Sequence, residues 1–158
     1  MSRRDRRFVA SAAAVGVGIA VLSGHGAAAT PGGRAPGKAA AQAIAYARAQ
    51  LGKPYLWGGT GPDAYDCSGL VMEAYASAGV GIARTSQDQW ATERHVSSPA
   101  PGDLVFYPGA DGTWAAPGHV ALVVGDGDMI EAYGTGYPIR EVSIRPGMVG
   151  YTQPRGGA

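Results

Sequence analysis

The chain contains a single cysteine, Cys67, so no intramolecular disulfide can hold its fold together. A helical pattern of apolar residues begins at this cysteine, and 52 residues later His119 opens a run typical of a β-strand. A thiol at the start of a helix and an imidazole at the start of a strand suit a cysteine nucleophile that a histidine activates. We therefore expect the cysteine helix to pack against one face of the sheet that contains the histidine strand.

The first 29 residues have the three parts of a secretory signal peptide. A start with four arginines is followed by the uncharged segment 8–22, and three alanines at 27–29 supply a cleavage site. The alternative is an uncleaved membrane anchor, but a run of about 15 residues is shorter than the roughly 20 that span a bilayer. We expect a secreted protein with no membrane span after cleavage, by the Sec or the twin-arginine route.

Cleavage after Ala29 would leave nine basic and eleven acidic residues, which is a net charge of −2. The sequence has no basic patch with interleaved aromatic residues, so we expect no nucleic-acid partner. The three histidines are too scattered to form a metal site, and there is no second cysteine to join them. We expect a monomer that needs no metal or organic cofactor.

Residues 30–38 are rich in proline and glycine, which indicates a flexible lead-in to one domain over residues 39–154. Helical periodicity, with N-caps at Asp66 and Thr85, predicts three helices, over residues 39–51, 67–78 and 85–92. The pattern then changes to that of strands, which we expect at residues 104–107, 119–124, 128–133 and 139–144. Helices followed by consecutive antiparallel strands predict an α+β fold, with the N-terminal helices packed on a central antiparallel sheet.

The hairpin that follows His119 offers the imidazole a carboxylate partner. We predict a three-residue loop over residues 125–127, in which Val124 pairs with Asp128. His119 and Glu131 would then share one face of the hairpin, within reach of a long side chain. The carboxylate could fix the tautomer of the imidazole and stabilise its charged form. A two-residue loop would place the two side chains on opposite faces, and Glu131 would be an ordinary surface residue.

The surroundings of Cys67 favour its reactive form. A thiol attacks as the thiolate, and the unpaired N–H groups of a first helical turn favour negative charge. A neighbouring imidazolium would favour it further, whereas Asp66 opposes it unless its carboxylate is occupied in capping or in holding substrate. A buried structural cysteine is the alternative, but the polar residues on either side argue against an apolar environment.

These motifs together resemble the NlpC/P60 family of papain-like cysteine peptidases from bacterial cell walls. The similarity rests on the run from Pro54 to Val71, on Gly118-His119-Val120 and on the polar residue 12 positions after the histidine. It implies a papain-like α+β fold, an extracytoplasmic location at the cell wall and hydrolysis of peptidoglycan stem peptides. The bond that the family usually cuts joins D-γ-glutamate to a diamino acid, which is meso-diaminopimelate or lysine.

The resemblance assigns roles to three residues of the reaction centre. Cys67 matches the nucleophile, His119 the base and Glu131 the third polar residue. The resemblance therefore implies a thiol protease in which Cys67 attacks as the thiolate, a thioester forms, and His119 protonates the leaving amine.

Four further residues match positions that line the substrate groove of the family: Tyr55, Asp66, Ser68 and Ser86. Asp66 and Ser68 resemble the pair that receives the N-terminal L-alanine of the stem peptide, and Tyr55 resembles the residue near the oxyanion. As alternatives, Tyr55 could simply pack and Ser86 could simply cap a helix. Arg84 could bind a substrate carboxylate or form a surface ion pair.

The motifs together predict an exported cysteine endopeptidase that acts on peptidoglycan stem peptides. Two other functions fit part of the pattern. A wall-binding module with weak activity would keep the fold, although the complete set of Cys67, His119 and Glu131 argues against it. An amidase or acyltransferase would use the same thiol chemistry on a different substrate.

Overall fold

The computed structural model describes residues 37–155, so the predicted signal peptide and most of the predicted lead-in lie outside the described residues. The three helices are α1 (Lys38–Ala49), α2 (Cys67–Ala76) and α3 (Ser86–Thr92). The strands that follow are β1 (Arg94–Val96), β2 (Leu104–Tyr107), β3 (His119–Gly125), β4 (Asp128–Glu131), β5 (Arg140–Ser143) and β6 (Gly150–Gln153). No helix within residues 37–155 is long and apolar enough to cross a bilayer.

The strands form one antiparallel sheet in the order β1-β6-β2-β3-β4-β5. The predicted α+β class, with helices packed on an antiparallel sheet, is confirmed. Four strands match those expected from the sequence, with ends that differ by at most two residues: β2, β3, β4 and β5. The sequence analysis missed β1 and β6, which pair with each other at one edge of the sheet.

The core has two apolar layers, one on each face of the sheet. Helices α1 and α2 cover one face, where Leu70 and Tyr75 of α2 pack in the same cluster as Val120 and Ile130 of the strands. A smaller cluster covers the other face, and it consists of Val105, Tyr107, Ala121, Val123 and Met129. Because successive side chains of a strand alternate between faces, β3 contributes to both layers and is fixed against α2.

Helices α2 and α3 begin at the caps that the sequence predicts. The Oδ1 atom of Asp66 accepts a hydrogen bond from the N–H of Gly69 at 2.7 Å, which satisfies one of the unpaired donors of the first turn of α2. At α3, the hydroxyl of Thr85 accepts one from the N–H of Asp88 at 3.2 Å. The first cap makes Cys67 the first residue of α2.

The turn between β3 and β4 differs from the predicted three-residue loop. It consists of two residues, Asp126 and Gly127, and both have positive φ, as a tight hairpin turn requires. Gly125, and not Val124, pairs with Asp128. The predicted loop length and the predicted pair of Val124 with Asp128 are therefore wrong, because the Asp-Gly dipeptide tolerates two left-handed residues in succession.

A bulge in β3 compensates for the shorter turn. The register shifts between Val123 and Gly125, so that Val123 pairs with Met129, as it would beside a three-residue loop. The extra residue restores the alternation of side chains that a two-residue turn alone would have reversed. His119 and Glu131 consequently lie on the same face, as predicted.

Candidate active site

Cys67 lies at the N-terminus of α2 and meets the start of β3. Its side chain is half-buried and hydrogen-bonds with that of His119, and its Sγ lies 3.9 Å from the carbonyl oxygen of Gly118. The unpaired N–H groups of the first helical turn favour negative charge on the sulfur. The thiol is therefore both accessible and next to a base.

His119 is buried between the cysteine and a carboxylate. Its Nε2 lies 2.9 Å from Oε2 of Glu131, which leaves Nδ1 as the ring nitrogen for Cys67. Burial alone would lower the pKa of His119, but the hydrogen bonds with Cys67 and Glu131 outweigh it and raise the pKa above its ordinary value. The environment thus favours the imidazolium form that a thiolate–imidazolium pair requires.

Glu131 is fully buried, and two arginines that the sequence analysis did not single out hold its carboxylate. Arg140 donates to Oε1 from Nε at 3.1 Å and from Nη2 at 2.8 Å, and Arg145 donates from Nη1 to Oε2 at 2.8 Å. Burial would raise the pKa of this carboxyl, but hydrogen bonds from His119, Arg145 and Arg140 lower the pKa to about 2. The third residue of the set is therefore anionic at neutral pH.

The two arginines reach Glu131 from different parts of the chain. Arg140 lies directly opposite Glu131 in the pairing of β4 with β5, so a prediction of that register would have found it. Arg145 follows β5, where no sequence period points to it. Its guanidinium lies 4.2 Å from the ring centroid of Tyr107 and 5.1 Å from that of Tyr133, and these two cation–π contacts restrict its movement.

One cavity beside Cys67, of about 310 Å³, contains all four residues predicted to line a substrate groove. Its lining includes Tyr55, Asp66, Ser68, Arg84 and Ser86. Apart from the ring of Tyr55, these side chains are short or charged polar groups. The cavity can therefore offer hydrogen bonds and charges of both signs to a peptide.

Both carboxylate oxygens of Asp66 have partners. Besides capping α2, the carboxylate accepts a hydrogen bond from the N–H of Gly58 at 3.0 Å and pairs with Arg84, whose Nη2 lies 2.6 Å from Oδ2. The Nη1 of Arg84 also donates to the hydroxyl of Ser68 at 3.0 Å. Arg84 thus forms an ion pair, one of the two alternatives left by the sequence, while 36% of its side chain stays exposed.

Tyr55 and Ser86 line the same cavity as Cys67. Tyr55 is half-buried, and burial raises its pKa from 10 to about 12, so that its hydroxyl keeps its proton well above neutral pH. Ser86 is the buried first residue of α3 and lines the cavity. The alternative that Ser86 caps this helix is wrong, because the cap is Thr85.

A second cavity, of about 450 Å³, opens beside Cys67 and contains His119. Its lining also includes Tyr55, Asp111, Tyr133 and Arg145. Cys67 borders both cavities, whereas His119 borders only this one of the two. A substrate chain that passes from one cavity to the other would therefore pass the sulfur, with the imidazole on the side of the second cavity.

The structure brings together all seven residues that the sequence analysis assigned to the site. Cys67, His119 and Glu131 form one chain of hydrogen-bonded side chains, and the other four line the first cavity. Their catalytic and binding roles stay predictions. Within residues 37–155, no group of three or more His, Cys, Asp or Glu side chains is arranged to hold a metal ion.

A family profile and several known sequences match most of this chain. The sequence profile of the NlpC/P60 family matches residues 52–154. The probable endopeptidase p60 of Listeria monocytogenes is 43% identical over 95 residues, which are 59% of this chain and 19% of that protein. The peptidoglycan endopeptidase RipB of Mycobacterium tuberculosis is 37% identical over 156 residues, which cover 84% of this chain and 63% of that protein. The chain therefore spans less than two thirds of the length of either relative.

Solved structures share the fold. The peptidoglycan hydrolase RipB of Mycobacterium tuberculosis superposes with a TM-score of 0.64 at 35% identity, covering 76% of this chain and 65% of that chain. The P60 domain of an antigen from M. avium subspecies paratuberculosis superposes with a TM-score of 0.65 at 33% identity, covering 76% of this chain and 96% of that chain. The NlpC/P60 fold that the motifs predict is confirmed.

Proposed function

The chain belongs to the NlpC/P60 family, and from that premise we propose that it is a secreted cysteine endopeptidase that hydrolyses peptidoglycan stem peptides between D-γ-glutamate and the diamino acid. The observation that carries the proposal is the hydrogen-bonded chain of Cys67, His119 and Glu131 beside two cavities. The names of the relatives, which include probable and peptidoglycan endopeptidases, support the substrate class.

The first half of the reaction forms an acyl-enzyme. The thiolate of Cys67 attacks the carbonyl carbon of the γ-glutamyl amide, and the main-chain N–H of Cys67 helps to hold the oxyanion that forms. Tyr55 lines both cavities, and its hydroxyl is a second candidate donor. The imidazolium of His119 then gives its proton to the leaving amine, the C–N bond breaks, and a thioester remains on the sulfur.

The second half restores the enzyme. Neutral His119 removes a proton from water, whose oxygen attacks the thioester carbon and displaces Cys67 as the thiolate. The products are a peptide that ends in D-glutamate and a peptide that begins with the diamino acid. Because His119 must contact the leaving amine, the diamino acid lies in the second cavity and the L-alanyl-D-glutamyl part in the first.

The polar groups of the first cavity suit that acyl part. In a stem peptide that is free of muramic acid, Asp66 and Ser68 would receive the ammonium of the L-alanine, and Arg84 presents a cation to the free α-carboxylate of the γ-linked D-glutamate. The ion pair between Asp66 and Arg84 keeps the two opposite charges side by side before substrate arrives. This preorganisation lowers the cost of binding a peptide that itself carries both charges.

The test is digestion of muropeptides and of free stem peptides of known structure by the full chain, followed by mass spectrometry. We expect a new C-terminus at D-glutamate and a new amine on the diamino acid, and no products with the Cys67→Ser protein. Release of intact stems from muramic acid would identify an amidase, and release of terminal D-alanine a carboxypeptidase. Binding without cleavage would identify a wall-binding module. Secretion is tested by fractionating a bacterial culture that produces the protein. We expect the protein outside the cytoplasm, without residues 1–29.

A further inference from the structure

Resting on the proposed function, we propose that Arg145 binds the side-chain carboxylate of meso-diaminopimelate, so that the enzyme selects this diamino acid over lysine. The starting observation is that Arg145 lines the cavity that contains Cys67 and His119. The diamino acid must occupy this cavity, because its amine is the group that His119 protonates. The side chain of meso-diaminopimelate ends in an ammonium and a carboxylate on one carbon, whereas that of lysine ends in an ammonium alone.

The guanidinium of Arg145 is held in place with donors to spare. Its Nη1 donates to Oε2 of Glu131, and the rings of Tyr107 and Tyr133 lie 4.2 Å and 5.1 Å away. A guanidinium has five N–H donors, so the bond to Glu131 leaves others for a ligand. About a third of the side chain, 34%, is exposed. A cation that is already fixed and has free donors can bind a carboxylate with little further loss of side-chain entropy.

The opposite charge in the same cavity fits the rest of this side chain. The lining of the cavity also includes Asp111, an exposed carboxylate on the loop before His119. A ligand with only a carboxylate would meet repulsion there, and a ligand with only an ammonium would meet it at Arg145. The zwitterionic end of meso-diaminopimelate satisfies both groups, which is why we assign it and not a simple acid.

Arg140 provides a matched control, because it also binds Glu131 but does not line this cavity. It donates to Oε1 of Glu131 through both Nε and Nη2. The two variants Arg140→Gln and Arg145→Gln therefore both weaken the hold on Glu131, and only the second removes a cation from the cavity. A loss of kcat/KM that is common to the two variants results from the weaker hold on Glu131. Any additional loss in Arg145→Gln results from the missing contact with the ligand.

The experiment compares three tetrapeptides, L-Ala-γ-D-Glu-X-D-Ala, in which X is meso-diaminopimelate, its side-chain amide or L-lysine. All three share the terminal carboxylate and have the α-carboxyl of X in a peptide bond, so their differences report the side-chain carboxylate alone. With the wild-type full chain we expect kcat/KM for meso-diaminopimelate to exceed the other two by about tenfold or more, the effect of one charge-assisted hydrogen bond. Arg145→Gln should bring this ratio close to one, and Arg140→Gln should leave it unchanged.

The outcomes separate this inference from the proposed function. Equal cleavage of all three peptides by the wild type, or an equal loss on all three with Arg145→Gln, would overturn the role of Arg145 while the endopeptidase stands. If none of the three is cut at the γ-glutamyl bond, the proposed function fails and the inference falls with it. If Arg145→Gln is too slow to assay, binding of the same peptides to Cys67→Ala and to Cys67→Ala/Arg145→Gln, measured by calorimetry, gives the same comparison.

Discussion

The Nε2 atom of His119 lies 2.9 Å from Oε2 of Glu131, although the two residues sit on strands joined by a two-residue turn that would by itself direct them to opposite faces. The bulge between Val123 and Gly125 brings them to one face. The contact therefore depends on one extra residue in β3 as much as on the two side chains. Glu131 in turn is held by arginines from β5 and from the segment after it.

This arrangement predicts unequal effects of removing the two side chains. His119→Ala removes the proposed acid and base, and kcat should fall by about 10²- to 10⁴-fold. Glu131→Ala should cost less, because it removes only a group that orients the imidazole and stabilises its charge. The loss should appear in kcat with KM little changed, in assays with a γ-glutamyl tetrapeptide. Full activity of Glu131→Ala would show that its contact with the imidazole is structural only.

The pKa of His119 should lie above 6.5, the ordinary value for a histidine. Burial lowers it, but the hydrogen bonds with Cys67 and Glu131 outweigh burial. Ionised His119 therefore stabilises the fold below about pH 6.5, and this contribution disappears as the pH rises through the folded pKa. NMR titration of the full chain, with His119→Gln to assign the signal, measures the value. Glu131→Gln should lower it, and a wild-type pKa at or below 6.5 would contradict this account.

Acid should weaken the fold through Glu131. Its pKa is about 2 in the folded protein, against 4.5 for the ordinary side chain, so the contribution is present above pH 4.5 and is lost as the pH falls towards 2. Such a shift means that ionised Glu131 contributes on the order of 3 kcal/mol to the free energy of unfolding. Urea unfolding of wild type and Glu131→Gln at several pH values between 5 and 2.5 isolates this term, because the other carboxyls titrate in both. The difference between the two proteins should shrink with acid, and a constant difference would count against it.

The local features of the fold were predictable because their signals lie within a few residues. Asp66 and Thr85 cap their helices where a short polar side chain precedes an apolar pattern, and β2 has the bounds that its four apolar residues predict. The proximity of His119 and Glu131 was predictable for the same reason, whereas that of Cys67 and His119, 52 residues apart, was expected from their chemistry and from the family resemblance. Cys67 starts a helix, and His119 and Glu131 belong to one hairpin.

The missed features depend on pairings between distant segments. Strands β1 and β6 are three and four residues long. Strand β1 pairs with β6, about 60 residues away, and β6 also pairs with β2, which is more than 40 residues away. The hold of Arg140 on Glu131 depends on the register of β5, and that of Arg145 on a segment without regular structure. The bulge in β3 has no signal in the sequence beyond the Asp126-Gly127 turn that makes it necessary. Geometry that arises from such packing is not encoded in any local period.

Asp66→Asn should weaken substrate recognition and also lower stability, because the amide nitrogen of asparagine cannot accept the hydrogen bonds that Oδ2 of Asp66 receives from Gly58 and Arg84. Asparagine is as good an N-cap as aspartate, so α2 should keep its first turn. The ion pair with Arg84 and the charge offered to the ammonium of L-alanine are lost. We expect kcat/KM for a stem peptide with a free alanine amine to fall about tenfold, the worth of a charge-assisted hydrogen bond. The same peptide acetylated at that amine is the control and should lose much less; equal losses on both would rule out recognition of the ammonium by Asp66.

The position of Cys67 also depends on the absence of a side chain at Gly69, in the first turn of α2. A Cβ at Gly69 would overlap the carbonyl oxygen of Gly59 and lie 2.9 Å from Oδ1 of Asp66. That carbonyl cannot move aside freely, because it accepts a hydrogen bond from the N–H of Asp66 at 2.9 Å. Gly69→Ala should therefore push α2 away from the loop that precedes it, and destabilise the protein by about 1–3 kcal/mol, the usual cost of overpacking.

Gly81→Ala is the matched substitution for Gly69→Ala, because a Cβ at Gly81 would meet nothing within 4 Å and its φ is not in the left-handed region. It should leave the free energy of unfolding unchanged or raise it slightly, since alanine restricts the unfolded chain. Urea unfolding and the rate of γ-glutamyl tetrapeptide cleavage should both separate the two variants, with Gly69→Ala losing stability and kcat together. If the two variants unfold at the same urea concentration, the close approach of α2 to Gly59 does not constrain the thiol, and the first turn of α2 is held by its cap alone.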